Sequence, residues 1–163
     1  MIRRARIGFA LALAGVAASP AFAAAEPAKA DAALPYVLVH KSSTCGCCSL
    51  WVEHMRRAGF RVEVRDDEDL HAIKQRLGVP YGKGSCHTAE VGGYFVEGHV
   101  PADDVRRLLR EKPDAKGLLL PGMPAGSPGM EMPDGRVQPY TVEQVARDGS
   151  TAAFAQHDRA VEE

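Results

Sequence analysis

Cysteine is missing from nearly all of this chain. Across 163 residues it occurs only at Cys45, Cys47, Cys48 and Cys86, and three of these fall within four positions. Charge of one sign is lacking too: 20 basic against 21 acidic side chains leave a formal net charge of −1. Residues 1–23 contribute arginines and no acid, so the remainder is more acidic still. That balance argues against nucleic acid or an anionic membrane surface as partner. Beyond the first residues no apolar run reaches the roughly 20 residues needed to span a bilayer. The sequence also has no phosphate-binding loop, no locally supported Ser-His-Asp grouping and no paired-carboxylate signal.

What is present begins with an address. Arg3, Arg4 and Arg6 precede the apolar or small stretch Ile7–Ala18, Ser19-Pro20 breaks it, and Ala21-Phe22-Ala23 supplies a small-x-small cleavage pattern. These features predict a signal peptide over 1–23, cut after Ala23, and a periplasmic or secreted mature protein with no membrane insertion. Residues 24–34 have no periodicity and read as a flexible lead-in.

The body follows as alternating elements. Tyr36–His40 reads as a buried strand and Ser49–Ala58 as a helix stopped by Gly59, with hydroxyl caps offered by Ser42, Ser43 and Thr44. Phe60–Val64 alternates as a strand, and Asp66–Asp69 opens a helix bearing Leu70, Ile73 and Leu77. Thr88–Val91 and Tyr94–Val100 flank Gly92-Gly93 as a hairpin, and Pro101–Asp104 starts a third helix. This β-α-β-α-β-β-α order, with Cys45-x-x-Cys48 between a strand end and a helix, predicts an α/β fold of thioredoxin-like (glutaredoxin-like) type over 35–116. Residues 117–139 hold five glycines, five prolines and three methionines. With a short hairpin from Tyr140 they form a Met-rich loop and closing hairpin, 117–157, packed on the same domain, followed by a tail, 158–163.

The cysteine spacing constrains the chemistry. A helix N-terminus presents unpaired N–H groups and partial positive charge, which favour thiolate over thiol. Two structural disulfides are the plain alternative in an exported protein, but loops this short restrict the unfolded chain little. Zinc sites use separated ligand pairs, whereas three thiols in four residues suit bridging thiolates around Cu(I), so copper is expected over zinc. Met130 and Met132, in Gly126–Met132, are candidate thioether ligands, since thioethers select Cu(I). Packing beneath a long loop is their ordinary alternative. Met123 stands beside them, unassigned. His87, next to Cys86, is a candidate ligand or proton acceptor, whereas His99 is expected to satisfy loop backbone groups. His54 and His71 are expected to face solvent, and Trp51 to lie in the core or shield the sulfurs.

Several runs carry a family resemblance: Lys41–Cys48, Trp51–Phe60, Ser85–Ala89, Val96–Ala102, and Pro121–Pro124 through Gly126–Met132. Together, over Tyr36–Tyr140, they resemble the CopG-type copper-resistance family of small periplasmic metal-binding proteins. The resemblance implies a thioredoxin-like fold, Cu(I) held at Cys45, Cys47, Cys48 and Cys86, more than one copper ion, and a part in copper tolerance. It also implies possible copper redox conversion and other periplasmic copper-handling proteins as partners. A thiol–disulfide oxidoreductase, with Cys45 as nucleophile and Cys48 resolving, is the rival reading. The extra Cys47 and the absence of X-Pro before the third strand count against it.

Overall fold

A computed structural model describes residues 34–159. The expected signal peptide, all but the last residue of the lead-in and the end of the tail lie outside the described residues. The elements run β1 (Val37–Lys41), α1 (Gly46–Arg57), β2 (Val62–Asp66), α2 (Leu70–Leu77), β3 (His87–Val91), β4 (Tyr94–Glu97), α3 (Ala102–Glu111), β5 (Ala115–Leu119), β6 (Tyr140–Ala146) and β7 (Thr151–His157). All seven strands form one mixed sheet in the order β2-β1-β3-β4-β5-β6-β7. The pairs β1–β2 and β4–β5 are parallel and the other four are antiparallel.

Burial follows the sequence pattern. Val37, Val39, Ala89, Val91 and Val96 put their side chains into the main core, where Trp51, Val52 and Met55 of α1 and Val105 and Leu108 of α3 meet them. These apolar contacts, removed from water, are the dominant attraction holding helices to sheet. Helix α2 is the exception, with no fully buried residue. Its start is nonetheless capped as expected, Asp69 accepting from the Ala72 N–H at 2.9 Å, and Gly78 ends it in left-handed geometry at φ 78°.

Four expectations change. Helix α1 starts at Gly46 rather than Ser49, with Cys45 as its N-cap and no side-chain cap bond. The hydroxyls before it bond each other instead, Ser42 Oγ to Thr44 Oγ1 at 3.0 Å. Strand β2 begins two residues later than the alternation indicates. His54 is buried rather than solvent-facing: its Nε2 accepts the Ala102 N–H at 3.1 Å, satisfying an orphan donor at the start of α3. Finally β5 is a full strand where glycine and leucine gave no strand signal, and it straddles residues 116 and 117. Gly117 is required there, because a Cβ would meet the Phe95 carbonyl oxygen at 2.0 Å.

Strand register explains what gathers at one end of the sheet. Lys41 at the end of β1 pairs with His87 at the start of β3. The chain leaving β1 for Cys45 therefore passes Cys86. The β3–β4 pairing sets Thr88 opposite Glu97, and the Gly98 N–H donates to the His87 carbonyl at 3.1 Å. That returns His99 to the same end. Parallel pairing of Glu97 with Leu119 then delivers the loop after β5 there as well.

Candidate metal centre

Cys47 and Cys48 occupy the uncapped first turn of α1, with Cys45 immediately before it. Cys45 and Cys48 are joined as a disulfide, their Cα atoms 5.4 Å apart, and Cys47 and Cys86 are free thiols. Cys47 Sγ lies 3.6 Å from Cys45 Sγ and 4.0 Å from Cys86 Sγ. All four sulfurs fall within 4.8 Å of one another. Residues 39 positions apart in the chain thus converge on one point. Cys48 is buried and the other three are half-buried, so the group opens toward the surface on one side.

Cys86 is held by a polar frame. Glu97, fully buried, accepts from Lys74 Nζ at 2.6 Å, from Thr88 Oγ1 at 2.6 Å and from the Ser85 N–H at 2.5 Å. Those donors satisfy a carboxylate that would otherwise be costly to bury. Ser85 in turn donates to the Gly122 carbonyl at 2.7 Å, which ties the cysteine turn to the methionine loop. Burial pushes the Cys86 thiol up from its ordinary pKa, the neighbouring Cys47 adds to that, and the Ser85 hydroxyl works against it. A metal taking Cys86 as thiolate therefore displaces a proton there.

The thioether that reaches the thiols belongs to Met123. Its Sδ accepts from Cys86 at 2.9 Å and from Cys47 at 4.0 Å, while half of the residue stays exposed. Among the described residues no such contact joins Met130 or Met132 to the cysteines. Met130 instead closes a tight turn, its N–H donating to the Ser127 carbonyl at 2.8 Å and its carbonyl accepting from the Gly126 N–H at 2.7 Å. The turn lays Gly129 against helix α1. A Cβ at Gly129 would come within 2.8 Å of both the Cys47 carbonyl oxygen and the Trp51 nitrogen, and the residue has φ 81°. Only glycine combines that approach with that conformation.

Two imidazoles lie behind Cys86. His87 is fully buried, packs against the Trp51 ring at 4.5 Å between centroids, and has no hydrogen-bond partner at either ring nitrogen. Burial holds its pKa well below the usual histidine value, and the nearby His99 and Lys74 add to the effect. His99 Nδ1 lies 2.8 Å from the Pro128 carbonyl and Nε2 3.6 Å from Cys86 Sγ. The expected bond from His99 to loop backbone is thus present. Trp51 is core, donating from Nε1 to the Val100 carbonyl at 2.9 Å. His40, which has no context in the sequence, lies buried between Asp67 and Glu90, at 2.6 and 3.0 Å.

Comparison with known proteins fits this geometry. Residues 83–130 match the family described as "Protein of unknown function, DUF411", a span holding Cys86, His87, His99, Met123 and Met130. No curated protein matches. Two solved structures, described as "Copper resistance protein copG- Form 1" and "Form 2", are 48% and 46% identical to the chain, with TM-scores of 0.71 and 0.72. Each alignment covers 76% of this chain and 98% of the other. The chain belongs to the CopG copper-resistance family. The sequence pattern points to the four cysteines, to Met130 and Met132, and to His87 as a candidate. The structure gathers the cysteines and His87 and, among the described residues, gives no contact from Met130 or Met132 to them. Met123 went unassigned because proline and glycine surround all three loop methionines alike. The folded loop alone shows which one faces sulfur.

Proposed function

We propose that the chain is a periplasmic copper-binding protein that holds Cu(I) on Cys45, Cys47, Cys48 and Cys86 and contributes to copper tolerance. The observation carrying this reading is the approach of four sulfurs to within 4.8 Å of one another. Three ligands on one helix start crowd a single tetrahedral ion but allow thiolates to bridge several soft ions. Met123 supplies a neutral, soft donor on the exposed side, and direct thioether ligation is assigned to it before Met130 and Met132. The periplasmic assignment is supported by the leader pattern of residues 1–23. The order β2-β1-β3-β4, with β1 and β2 parallel and β3 and β4 antiparallel, supports a thioredoxin-like frame for the first part.

The Cys45–Cys48 disulfide favours a redox component. As a dithiol this pair can give up two protons and two electrons while the S–S bond forms, which balances reduction of two Cu(II) to two Cu(I). Copper would then be the oxidant, and in that oxidised state Cys47, Cys86 and Met123 remain to hold the Cu(I) formed.

Anaerobic titration of fully reduced protein with Cu(I) tests the assignment. The expected result is more than one tightly held copper per chain, with ultraviolet thiolate-to-copper absorption growing until the cluster fills. Less than one tight equivalent would overturn it. Turnover of a disulfide-exchange substrate without copper would favour the oxidoreductase reading instead.

A further inference from the structure

We propose that Cys86, His87 and His99 form a second, mononuclear copper site beneath the four-cysteine cluster, with Cys86 shared between the two. The inference rests on copper being the cargo of the chain, as argued above, but it draws on different residues and a different donor chemistry.

One ligand atom from each of the three residues lies within 4.8 Å of the others, the spacing that lets three donors meet at one ion. His87 is the decisive observation. A buried imidazole ordinarily has hydrogen-bond partners, yet both nitrogens of this one have none while the ring is fully enclosed. Trp51 covers it at 4.5 Å and the His99 ring stands nearly perpendicular to it at 5.0 Å. A lone pair held dry and unused beside a thiol is a donor waiting for an acceptor that is not a proton.

His99 is prepared in a complementary way. A backbone carbonyl only accepts, so Nδ1 must carry the hydrogen that bonds Pro128 at 2.8 Å. That fixes the tautomer and leaves the Nε2 lone pair free. Nε2 is the nitrogen 3.6 Å from Cys86 Sγ. The arrangement of a ligating imidazole whose other nitrogen is anchored to a carbonyl is the usual outer support of metal-bound histidine. Cys86 faces Cys47 at 4.0 Å and His99 at 3.6 Å, so one thiolate can serve both groups.

Two imidazoles and one thiolate differ in kind from an all-sulfur set. Imidazole suits copper in either oxidation state, whereas crowded thiolates select Cu(I). With Cu(I) the three ligands make a complex of zero net charge, which a dry pocket tolerates far better than a free ion. The imidazoles also accept Cu(II), so the pocket can hold copper in either oxidation state, with the neutral Cu(I) form the better suited to its dry surroundings.

Two variants and one measurement on the unaltered chain test this. C45S/C47S/C48S keeps only the pocket; it is expected to bind about one Cu(II), with visible thiolate-to-copper absorption and nitrogen couplings in its electron paramagnetic resonance spectrum. H87Q/H99Q keeps only the cluster; it is expected to lose that one site while retaining the ultraviolet thiolate absorption with Cu(I). Because His87 is buried, H87Q/H99Q puts folding itself at risk. The deciding readout is therefore the unaltered protein labelled with nitrogen-15 histidine and titrated anaerobically with Cu(I). The His87 and His99 ring nitrogens should shift on loading while those of exposed His71 stay in place. Unmoved His87 and His99 resonances at saturation, or a triple variant that binds no copper, would overturn the pocket. A triple variant whose Cu(I) capacity equals that of the unaltered chain would instead overturn the cluster and leave the pocket standing.

Discussion

The stretch up to α3 and the stretch after it build the same site by opposite means. The first uses regular elements: a helix start offers Cys47 and Cys48, a strand start offers His87, and the buried Glu97 frame fixes Cys86 between them. The second reaches the site through residues 120–139, which contain no helix or strand, and contributes a thioether, a carbonyl and a glycine that admits close approach. The thiols sit on or beside regular elements, whereas the thioether and the rest of the cover sit on a loop. For the proposed copper site, that division would let the thiols set affinity while the loop sets access.

Breaking the rigid side should have the largest effect. Glu97→Ala leaves Lys74 without its buried carboxylate and frees the Ser85 N–H. A loss of about 3–5 kcal/mol is expected in urea denaturation, together with weaker copper retention. Next comes the contact between the two regions. Gly129→Val places a branched side chain at φ 81° against the Cys47 carbonyl, and left-handed geometry alone costs about 1–2 kcal/mol. Thermal unfolding and copper release rate should both show it. Met123→Leu keeps the volume but removes the thioether, so Cu(I) affinity should fall about tenfold, or about 1.4 kcal/mol, with stoichiometry unchanged in a chelator competition.

Two smaller effects sharpen the contrast from outside the site. Asp104 has a raised pKa, chiefly from burial, partly offset by His157 at 2.8 Å. A carboxyl with a raised folded-state pKa binds its proton more tightly in the folded chain. Its stabilising contribution is therefore present below the unfolded value of 3.8 and lost as pH rises through the higher folded value. Asp104→Asn should thus gain stability relative to the native chain as pH rises from 4 to 7, which paired urea denaturations would read. Last, Met130→Leu should change stability by no more than about 0.5 kcal/mol and leave Cu(I) stoichiometry as it was. A drop in stoichiometry would restore Met130 as a ligand.

The first region was largely legible because its signals are local. The Gly92-Gly93 turn marks the β3–β4 hairpin, Asp69 and Gly78 bracket α2, and Pro101 with Asp103 and Asp104 opens α3. Where long-range contacts decide, the sequence is silent. Strand β5 is held by pairing of Phe95 with Gly117, a partner that no window of neighbours contains. His54 sits among polar residues of α1, and the Ala102 N–H from α3, far away in sequence, is one partner that accounts for its burial. Clustering of thiols in the chain marked the site, but the convergence of Cys86 follows from the register of Lys41 with His87. The imidazole wall was half visible: His87 stands beside a cysteine, while His99 is brought in by a hairpin return.

The later turns of helix α1 carry a last implication. Trp51 and His54, three residues apart, both grip the segment entering α3, one at the Val100 carbonyl and the other at the Ala102 amide. The helix is bolted down along the same face that carries its sulfurs, one and two turns further on, so loading of the proposed copper site cannot proceed by swinging it outward. Accommodation of a guest falls to the proline-and-glycine strap instead, and amide exchange slowed there, but not at Ala102, would be the signature of a filled protein.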